Sequence, residues 1–210
     1  MINVVCVLRQ GGKVGYDATW VEKLKNSVAR NLTLEHRFVC LSDVDVPCER
    51  IPLIGSGSGF WAKLELFRPG LFTDPVLYID LDTVICSNIN DVVDNIKSQQ
   101  FVMLNETDKN VVSSAIMWWQ GDHSYLWNQY LKIPSEEIKE KYSKMPRYGD
   151  QAFIEDYTMH TLLQDHIPEQ WVGWSSQKTV SADTKILIFR KVSQKPSTML
   201  DHPLVQQHWR

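Results

Sequence analysis

Two aspartates, Asp80 and Asp82, have the spacing that most directly suggests chemistry. They follow the apolar run at residues 75–79, which predicts a buried strand. If the chain stays extended there, residues two apart point to the same side of the sheet. Two adjacent carboxylates repel each other unless a cation lies between them, and Mg²⁺ or Mn²⁺ prefers such oxygen ligands. The pair therefore predicts a divalent-metal site with positions left open for diphosphate oxygens.

The N-terminal part of the chain predicts the elements that position this pair. The apolar run at residues 2–8 is typical of a strand buried on both faces, and a second strand is predicted at residues 37–41. Between them, apolar residues recur every four positions over residues 20–32, which indicates a helix, and Asp17 is placed to cap it. Strand, helix and strand in this order predict a parallel crossover. Ligands gather at the carboxyl ends of such strands, where the acidic pair lies.

The remaining elements follow one another without a repeat or a convincing linker, so one domain is expected. The segment Gly55–Gly59 is predicted to be a loop or a flexible lid. Residues 171–174 are loop-like, and their tryptophans are expected to pack against or cover the protein, with a face for stacking on a sugar as the alternative. Helices are predicted at residues 60–67, 91–96, 122–131, 135–144 and 150–163, and strands at residues 101–104, 114–119 and 186–189. The pattern predicts an α/β fold with a central mixed, mainly parallel sheet flanked by helices.

Composition argues against several classes of protein. A hydrophobic share of 43% with 22% charged residues is that of an ordinary globular protein. The net charge of -3 argues against broad binding of nucleic acid, which needs a basic face. No apolar run reaches the ~18 residues that a membrane span requires. Residues 1–9 have neither a basic start nor a cleavage site of small residues, so we expect a cytoplasmic protein in which Cys6 and Cys40 are buried and reduced.

Three blocks in the same order give the chain a resemblance to a known family. They are Trp61-x-Lys63-Leu64-x-Leu66-Phe67, Leu77-Tyr78-Ile79-Asp80-Leu81-Asp82-Thr83-Val84-Ile85 and Gly149-Asp150-Gln151. The chain resembles GT-A glycosyltransferases related to family 8, which includes glycogenin and the bacterial lipooligosaccharide galactosyltransferases. The resemblance implies a single GT-A-like, Rossmann-like domain. It also implies hexosyl transfer, with retention, from a nucleoside diphosphate sugar, expected to be UDP-linked, to a hydroxyl acceptor.

The resemblance further implies a role for individual positions. Asp80 and Asp82 would hold Mn²⁺ or Mg²⁺, and Asp80 would also approach the ribose or the sugar of the donor. Asp150 and Gln151 would line the pocket around the transferred sugar and the acceptor hydroxyl, where hydrogen bonds stabilise an oxocarbenium-like transition state. The resemblance also implies donor contacts from Lys63, Ser113, Ser114 and Lys195. Apart from the resemblance, Tyr16 could stack on the nucleotide base or have no role, and Arg190 is a further candidate for the donor site.

The C-terminal end departs from the family pattern. Relatives have a Phe-His-Gly turn whose histidine is the third metal ligand, whereas this chain has Phe189-Arg190-Lys191. Arginine stays protonated and has no free lone pair, so Arg190 cannot bind a metal. Three explanations stay open: His202 or His208 supplies the ligand, water completes a weaker site, or Arg190 itself neutralises the diphosphate. We expect the weaker site, compensated in part by Arg190 and Lys191.

Two other functions also stay open. The Asp80-x-Asp82-x-Val84 pattern fits the nucleophile motif of haloacid-dehalogenase-like phosphohydrolases, although that motif usually opens the first strand of its domain. The missing histidine also suggests a non-catalytic nucleotide-sugar-binding protein. Under the transferase interpretation, residues 1–82 form the nucleotide-binding half and residues 83–189 the half that binds the sugar and a glycan or other hydroxyl acceptor. Residues 190–210 would form a tail that folds back over the donor.

Overall fold

The structure is a computed structural model that describes residues 1–11, 14–55, 57, 59–106, 111–144, 147–177, 179–191 and 193–210. The strands are β1 (Ile2–Leu8), β2 (His36–Ser42), β3 (Glu49–Pro52), β4 (Val76–Ile79), β5 (Val84–Ile85), β6 (Phe101–Glu106), β7 (Val111–Trp119), β8 (Thr161–Leu162), β9 (Val172–Trp174) and β10 (Ile186–Ile188). The α-helices are α1 (Ala18–Asn31), α2 (Asn90–Ile96), α3 (Ser124–Lys132), α4 (Ser135–Lys141), α5 (Gly149–Tyr157) and α6 (Pro203–His208).

The central sheet has seven strands in the order β3-β2-β1-β4-β7-β6-β8. Strand β1 pairs in parallel with β2 and β4, and β2 pairs in parallel with β3. Strand β7 lies antiparallel to both of its neighbours, β4 and β6. A smaller sheet of three strands has the order β5-β10-β9. The prediction of a mixed, mainly parallel sheet flanked by helices is therefore confirmed.

Each central strand divides its side chains between two hydrophobic clusters, one on each face of the sheet. In β1, Val4 and Cys6 belong to the cluster beneath α1, whereas Val5 belongs to the cluster on the opposite face. The same alternation places Tyr78 of β4 on the face opposite α1. Burial on both faces is the reason that the run at residues 4–8 of β1 and the run Val76–Ile79 of β4 are apolar throughout.

Helix α1 begins where the sequence predicts. The Asp17 carboxylate accepts a hydrogen bond from the backbone N–H of Thr19 at 2.9 Å, which satisfies a first-turn donor. Trp20, Leu24 and Val28 are buried on one side of the helix. The cap and the periodic apolar face thus fix the first crossover, which leads the chain into β2.

Two predictions for the second half of the chain are wrong. The helix expected at residues 150–163 ends at Tyr157, because Thr161–Leu162 instead forms strand β8 beside β6. Residues 172–174, expected to be a loop, form strand β9, which pairs in parallel with β10. In both places the strand is two or three residues long, too short to give a periodic pattern.

The C-terminal residues pack back onto α1. The ring of Trp209 lies 5.1 Å from the ring of Trp20, edge to face. The Arg30 guanidinium donates to the carbonyl oxygen of His208 at 2.9 Å. Helix α6 itself spans only six residues and lies in the segment that the sequence predicts to be a C-terminal tail.

The segment Gly55–Gly59 is only partly covered, because Ser56 and Ser58 lie outside the described residues. The lid prediction therefore stays a prediction. Within the part of the chain that the structure covers, no helix combines the length and the apolar character needed to cross a membrane.

Candidate functional site

The acidic pair lies just beyond the end of β4, on a turn. The backbone N–H of Asp80 still donates to the carbonyl oxygen of Ala115 in β7 at 2.9 Å. The N–H of Thr83 then donates to the carbonyl oxygen of Asp80 at 3.0 Å, which closes a tight turn around Asp82. The strand therefore does not stay extended through the pair, and the two carboxylates are positioned by a turn instead.

Asp80 is held by one lysine and one tyrosine. The Lys63 ammonium lies 2.8 Å from Asp80 Oδ1, and the Tyr78 hydroxyl donates to the same oxygen at 2.6 Å. Sequence reasoning gave Tyr78 no role, although it lies two residues before Asp80, and side chains two apart on a strand point to the same side. Burial and the Asp80 carboxylate raise the pKa of Tyr78 well above its usual value, so its hydroxyl stays protonated and remains a donor.

Lys63 also connects the pair to Asp150. Its ammonium donates to Ser114 Oγ at 3.0 Å, and the Ser114 hydroxyl donates to Asp150 Oδ2 at 2.6 Å. The direct distance from Lys63 Nζ to Asp150 Oδ2 is 3.4 Å. Burial lowers the pKa of Lys63, but the Asp150 and Asp80 carboxylates together raise it above its usual value. Lys63 is therefore a permanent cation between the two acids.

Asp82 is held in the same way from the other side of the site. The Lys195 ammonium donates to Asp82 Oδ2, and the Tyr16 hydroxyl donates to that oxygen at 2.5 Å. The Lys195 ammonium also donates to the carbonyl oxygen of Phe189 at 3.1 Å. The Asp82 side chain is only 7% exposed. Burial raises the pKa of its carboxyl, and the Lys195 ammonium opposes that shift.

A close contact between two elements brings Lys63 and Asp150 together. Lys63 lies on a 3₁₀ helix, Gly59–Phe67, and Asp150 lies in the first turn of α5. Helix α5 opens at Gly149, whose φ of +71° suits glycine, and a Cβ there would lie 2.8 Å from Cε2 of Phe60. A larger residue would push the 3₁₀ helix away, so Gly149 is what allows this approach.

The structure gathers most of the predicted residues at one place and leaves others apart. Tyr16, Lys63, Asp80, Asp82, Ser114, Asp150 and Lys195 are joined by the contacts above, and Ser113 and Gln151 are their chain neighbours. Arg190 belongs to another group, in which its guanidinium lies 3.7 Å above the ring of Trp174 and 3.5 Å from a carboxylate oxygen of Glu106. Lys191 is exposed. The ring of Trp174 is therefore covered by arginine and is not an open face for a sugar.

Several solved structures have a similar fold. The bifunctional glycosyltransferase WbbM, in its apo form, matches with a TM-score of 0.62 at 12% identity, over 93% of this chain and 46% of its own. GlyE of Streptococcus pneumoniae matches with a TM-score of 0.65 at 14% identity, over 93% of this chain and 56% of its own. The galactosyltransferase LgtC, solved with donor and acceptor sugar analogues, matches with a TM-score of 0.61 at 12% identity, over 99% and 96%.

This chain has the GT-A glycosyltransferase fold. It spans about half the length of WbbM and GlyE and nearly all of LgtC. No protein-family model matches the chain, and no curated protein matches it in sequence. At identities this low the likeness shows the fold, and the activity has to be inferred from the site.

In this GT-A domain the side chains, as placed, do not fit a divalent metal ion. Asp80 and Asp82 have the right oxygen atoms, but one oxygen of each already accepts from a lysine and a tyrosine. Among the described residues, no group of three or more His, Cys, Asp and Glu side chains is arranged to hold a metal. Neither His202 nor His208 therefore completes a ligand set with the acidic pair.

Proposed function

We propose that this protein transfers a sugar, as a hexosyl group, from a nucleoside diphosphate donor to a hydroxyl acceptor. The observation that carries the proposal is the pair of Lys–Tyr–Asp groups at the end of β4, beside the Lys63–Ser114–Asp150 network. In open α/β sheets this edge is where ligands bind. Its residue types suit a ligand that combines a diphosphate with sugar hydroxyls.

The chain's own side chains account for the main needs of such a reaction. The bond between the anomeric carbon and the diphosphate oxygen breaks, and the electron pair leaves with the diphosphate. The lysines beside the acidic pair, Lys63 and Lys195, supply fixed positive charge where that negative charge develops, and buried ammonium groups act more strongly than solvated ones. The acceptor oxygen bonds to the anomeric carbon and passes its proton to the departing diphosphate.

We assign Asp150 to orienting the sugar. Its carboxylate is buried and fixed by Ser114 and Lys63, so it presents a preorganised hydrogen-bond acceptor. Gln151 follows it on the same turn of α5 and is partly exposed. We assign both residues to the hydroxyl groups of the transferred sugar and of the acceptor, and we assign a UDP-linked donor and retention from the family resemblance.

The division of the chain is part of the proposal. Residues 1–82 would bind the nucleotide, residues 83–189 the sugar and the acceptor, and residues 190–210 would cover the donor. The contact of Lys195 with Asp82 supports the last assignment, because it ties the tail to the acidic pair. The proposed mechanism does not use Mn²⁺ or Mg²⁺, because the Lys195 ammonium already contacts Asp82, the carboxylate that the metal would need.

Titration calorimetry with a panel of UDP-sugars tests the proposal. We expect at least one UDP-sugar to bind the wild type, and we expect Lys195→Met to weaken that binding by about tenfold or more, because the ammonium assigned to the diphosphate is lost. The matched control is Lys97→Met, which removes a lysine from an exposed ion pair with Asp94, at 2.7 Å. Equal losses in both variants, or no binding by any sugar nucleotide, would contradict the proposal.

The phosphohydrolase alternative is separated by a second assay. If Asp80 were the nucleophile of a phosphatase, the protein would hydrolyse a generic aryl phosphate, and Asp80→Asn would abolish that activity. We expect no such hydrolysis, because both the Lys63 ammonium and the Tyr78 hydroxyl bind Asp80 Oδ1. Turnover of the aryl phosphate that depends on Asp80 would favour the phosphatase.

A further inference from the structure

The positive charge next to Asp82 comes from a side chain of the protein itself, the Lys195 ammonium. The Lys195 side chain is 10% exposed and ends on Asp82 Oδ2, a carboxylate oxygen that also accepts from Tyr16. The carbonyl oxygen of Phe189 accepts a further hydrogen bond from the same ammonium. Lys195 is therefore held by two polar partners, one just after β10 and one on the turn after β4, and it is not a loosely placed surface side chain.

The charge at the site follows from these contacts. Asp80, Asp82 and Asp150 are three carboxylates, and Lys63 and Lys195 place two ammonium groups among them. One net negative charge remains when all five groups carry their usual charge. Without Lys195 there would be two, and Asp82 Oδ2 would be released from its ammonium partner. Both changes would strengthen the attraction of a divalent cation, since a buried charge is weakly screened.

We propose that Lys195 acts as the resident cation of the acidic pair and excludes divalent metal ions from the donor-free protein. The ammonium supplies from within the chain the positive charge that the Asp-x-Asp motif would otherwise take from Mn²⁺ or Mg²⁺. The sequence prediction gave this compensating role to Arg190 and Lys191, but Arg190 lies with Trp174 and Glu106, and it is Lys195 that reaches Asp82. The inference concerns the site of the proposed function, yet it is tested without any donor.

The test is a titration with Mn²⁺ alone, in which electron paramagnetic resonance measures the free ion. We expect the wild type to bind Mn²⁺ weakly and Lys195→Met to bind it at least about tenfold more tightly, because removing one ammonium leaves Asp82 open. The matched control is Lys97→Met, which removes a lysine from an exposed ion pair with Asp94. It should leave Mn²⁺ binding unchanged. In the double variant Lys195→Met with Asp82→Asn, the gain should disappear.

Thermal unfolding supplies a second measurement. Lys195→Met leaves a buried carboxylate without its cation and should lower the melting temperature, and Mn²⁺ should restore stability to this variant but not to the wild type. Tight, stoichiometric Mn²⁺ binding by the wild type, with a dissociation constant on the order of micromolar, would overturn the inference. This titration of the wild type can overturn the inference even if Lys195→Met fails to fold. An unchanged Mn²⁺ affinity in a folded Lys195→Met protein would overturn it as well.

The two proposals fail in different ways. If the Mn²⁺ results are as expected but no sugar nucleotide binds under any condition, the proposed function is wrong and the role of Lys195 stands. If sugar nucleotides bind and the wild type also takes up Mn²⁺ tightly, the role of Lys195 is wrong and the proposed function stands.

Discussion

At the scale of single residues, the two aspartates of the acidic pair have partners of the same kinds. Asp80 binds one lysine and one tyrosine, and Asp82 binds another lysine and another tyrosine. The aspartates themselves could be predicted from sequence because they follow an apolar strand. Their partners are harder to predict, since Tyr16 and Lys195 are 66 and 113 residues from Asp82 along the chain. Only the folded chain brings them together.

Tyr16 gives a prediction about stability. Tyr16→Phe removes the 2.5 Å hydrogen bond to a buried carboxylate and keeps the ring, whose edge-to-face contact with Trp20 is unchanged. We expect the free energy of unfolding to fall by about 1.5–3 kcal/mol, the range for a hydrogen bond to a charged group. Urea unfolding measures it. The control is Tyr125→Phe, at a tyrosine that is 44% exposed, and it should change stability by less than about 0.5 kcal/mol. Equal effects would show that Tyr16 does not support Asp82.

At the scale of elements, the sequence predicts well wherever a run is long enough to be periodic. Helix α1 and strands β1, β2 and β4 lie within about two residues of their expected bounds, because caps and apolar faces define them. The wrong predictions concern β8 and β9, and α6 was not predicted. All three elements are short and are formed by pairing or packing against distant parts of the chain. The local sequence carries little information about such contacts.

Helix α5 gives a prediction that separates steric from backbone effects. Gly149→Ala adds a Cβ 2.8 Å from the Phe60 ring at a residue with positive φ. Gly70 also has positive φ, +74°, but its Cβ would meet no atom within 4 Å. We expect Gly70→Ala to cost about 1 kcal/mol for the backbone alone and Gly149→Ala to cost about 1–3 kcal/mol more. Chemical denaturation measures both. Similar costs would mean that the contact between Phe60 and Gly149 is not tight.

Asp156 of α5, which forms an ion pair with Lys141 of α4, gives a prediction about the pH dependence of stability. Burial raises the pKa of Asp156, but its bonds with Tyr142, Lys141 and Arg147 outweigh burial and lower the pKa below its usual value. A lowered folded-state pKa contributes stability above the unfolded value of about 3.9, and this contribution is lost as the pH falls through the folded value.

Asp156→Asn should therefore destabilise the protein by about 1 kcal/mol at neutral pH, and the difference from the wild type should shrink as the pH drops below about 4. Urea unfolding of both proteins across this range measures the difference. If the difference stayed constant over the whole range, the stabilising contribution of the charged carboxylate would be disproved.

At the scale of the whole molecule, the GT-A fold places residues from distant parts of the chain around one edge of the sheet. Tyr16 comes from the segment before α1, Lys63 from the 3₁₀ helix, Asp150 from α5 and Lys195 from the C-terminal segment. The chain shares this fold with structural neighbours at only 12–14% sequence identity. The C-terminal segment reaches the same edge, where the Lys195 ammonium contacts Asp82.

The crystal structure of the protein soaked with UDP, in the absence of metal, tests the central claim most directly. We expect the diphosphate to lie within hydrogen-bonding distance, about 3 Å, of the Lys195 ammonium, next to Asp80 and Asp82. A nucleotide bound far from the two carboxylates, for example in the cavity lined by Gln164, Glu169 and Thr184, would contradict the account.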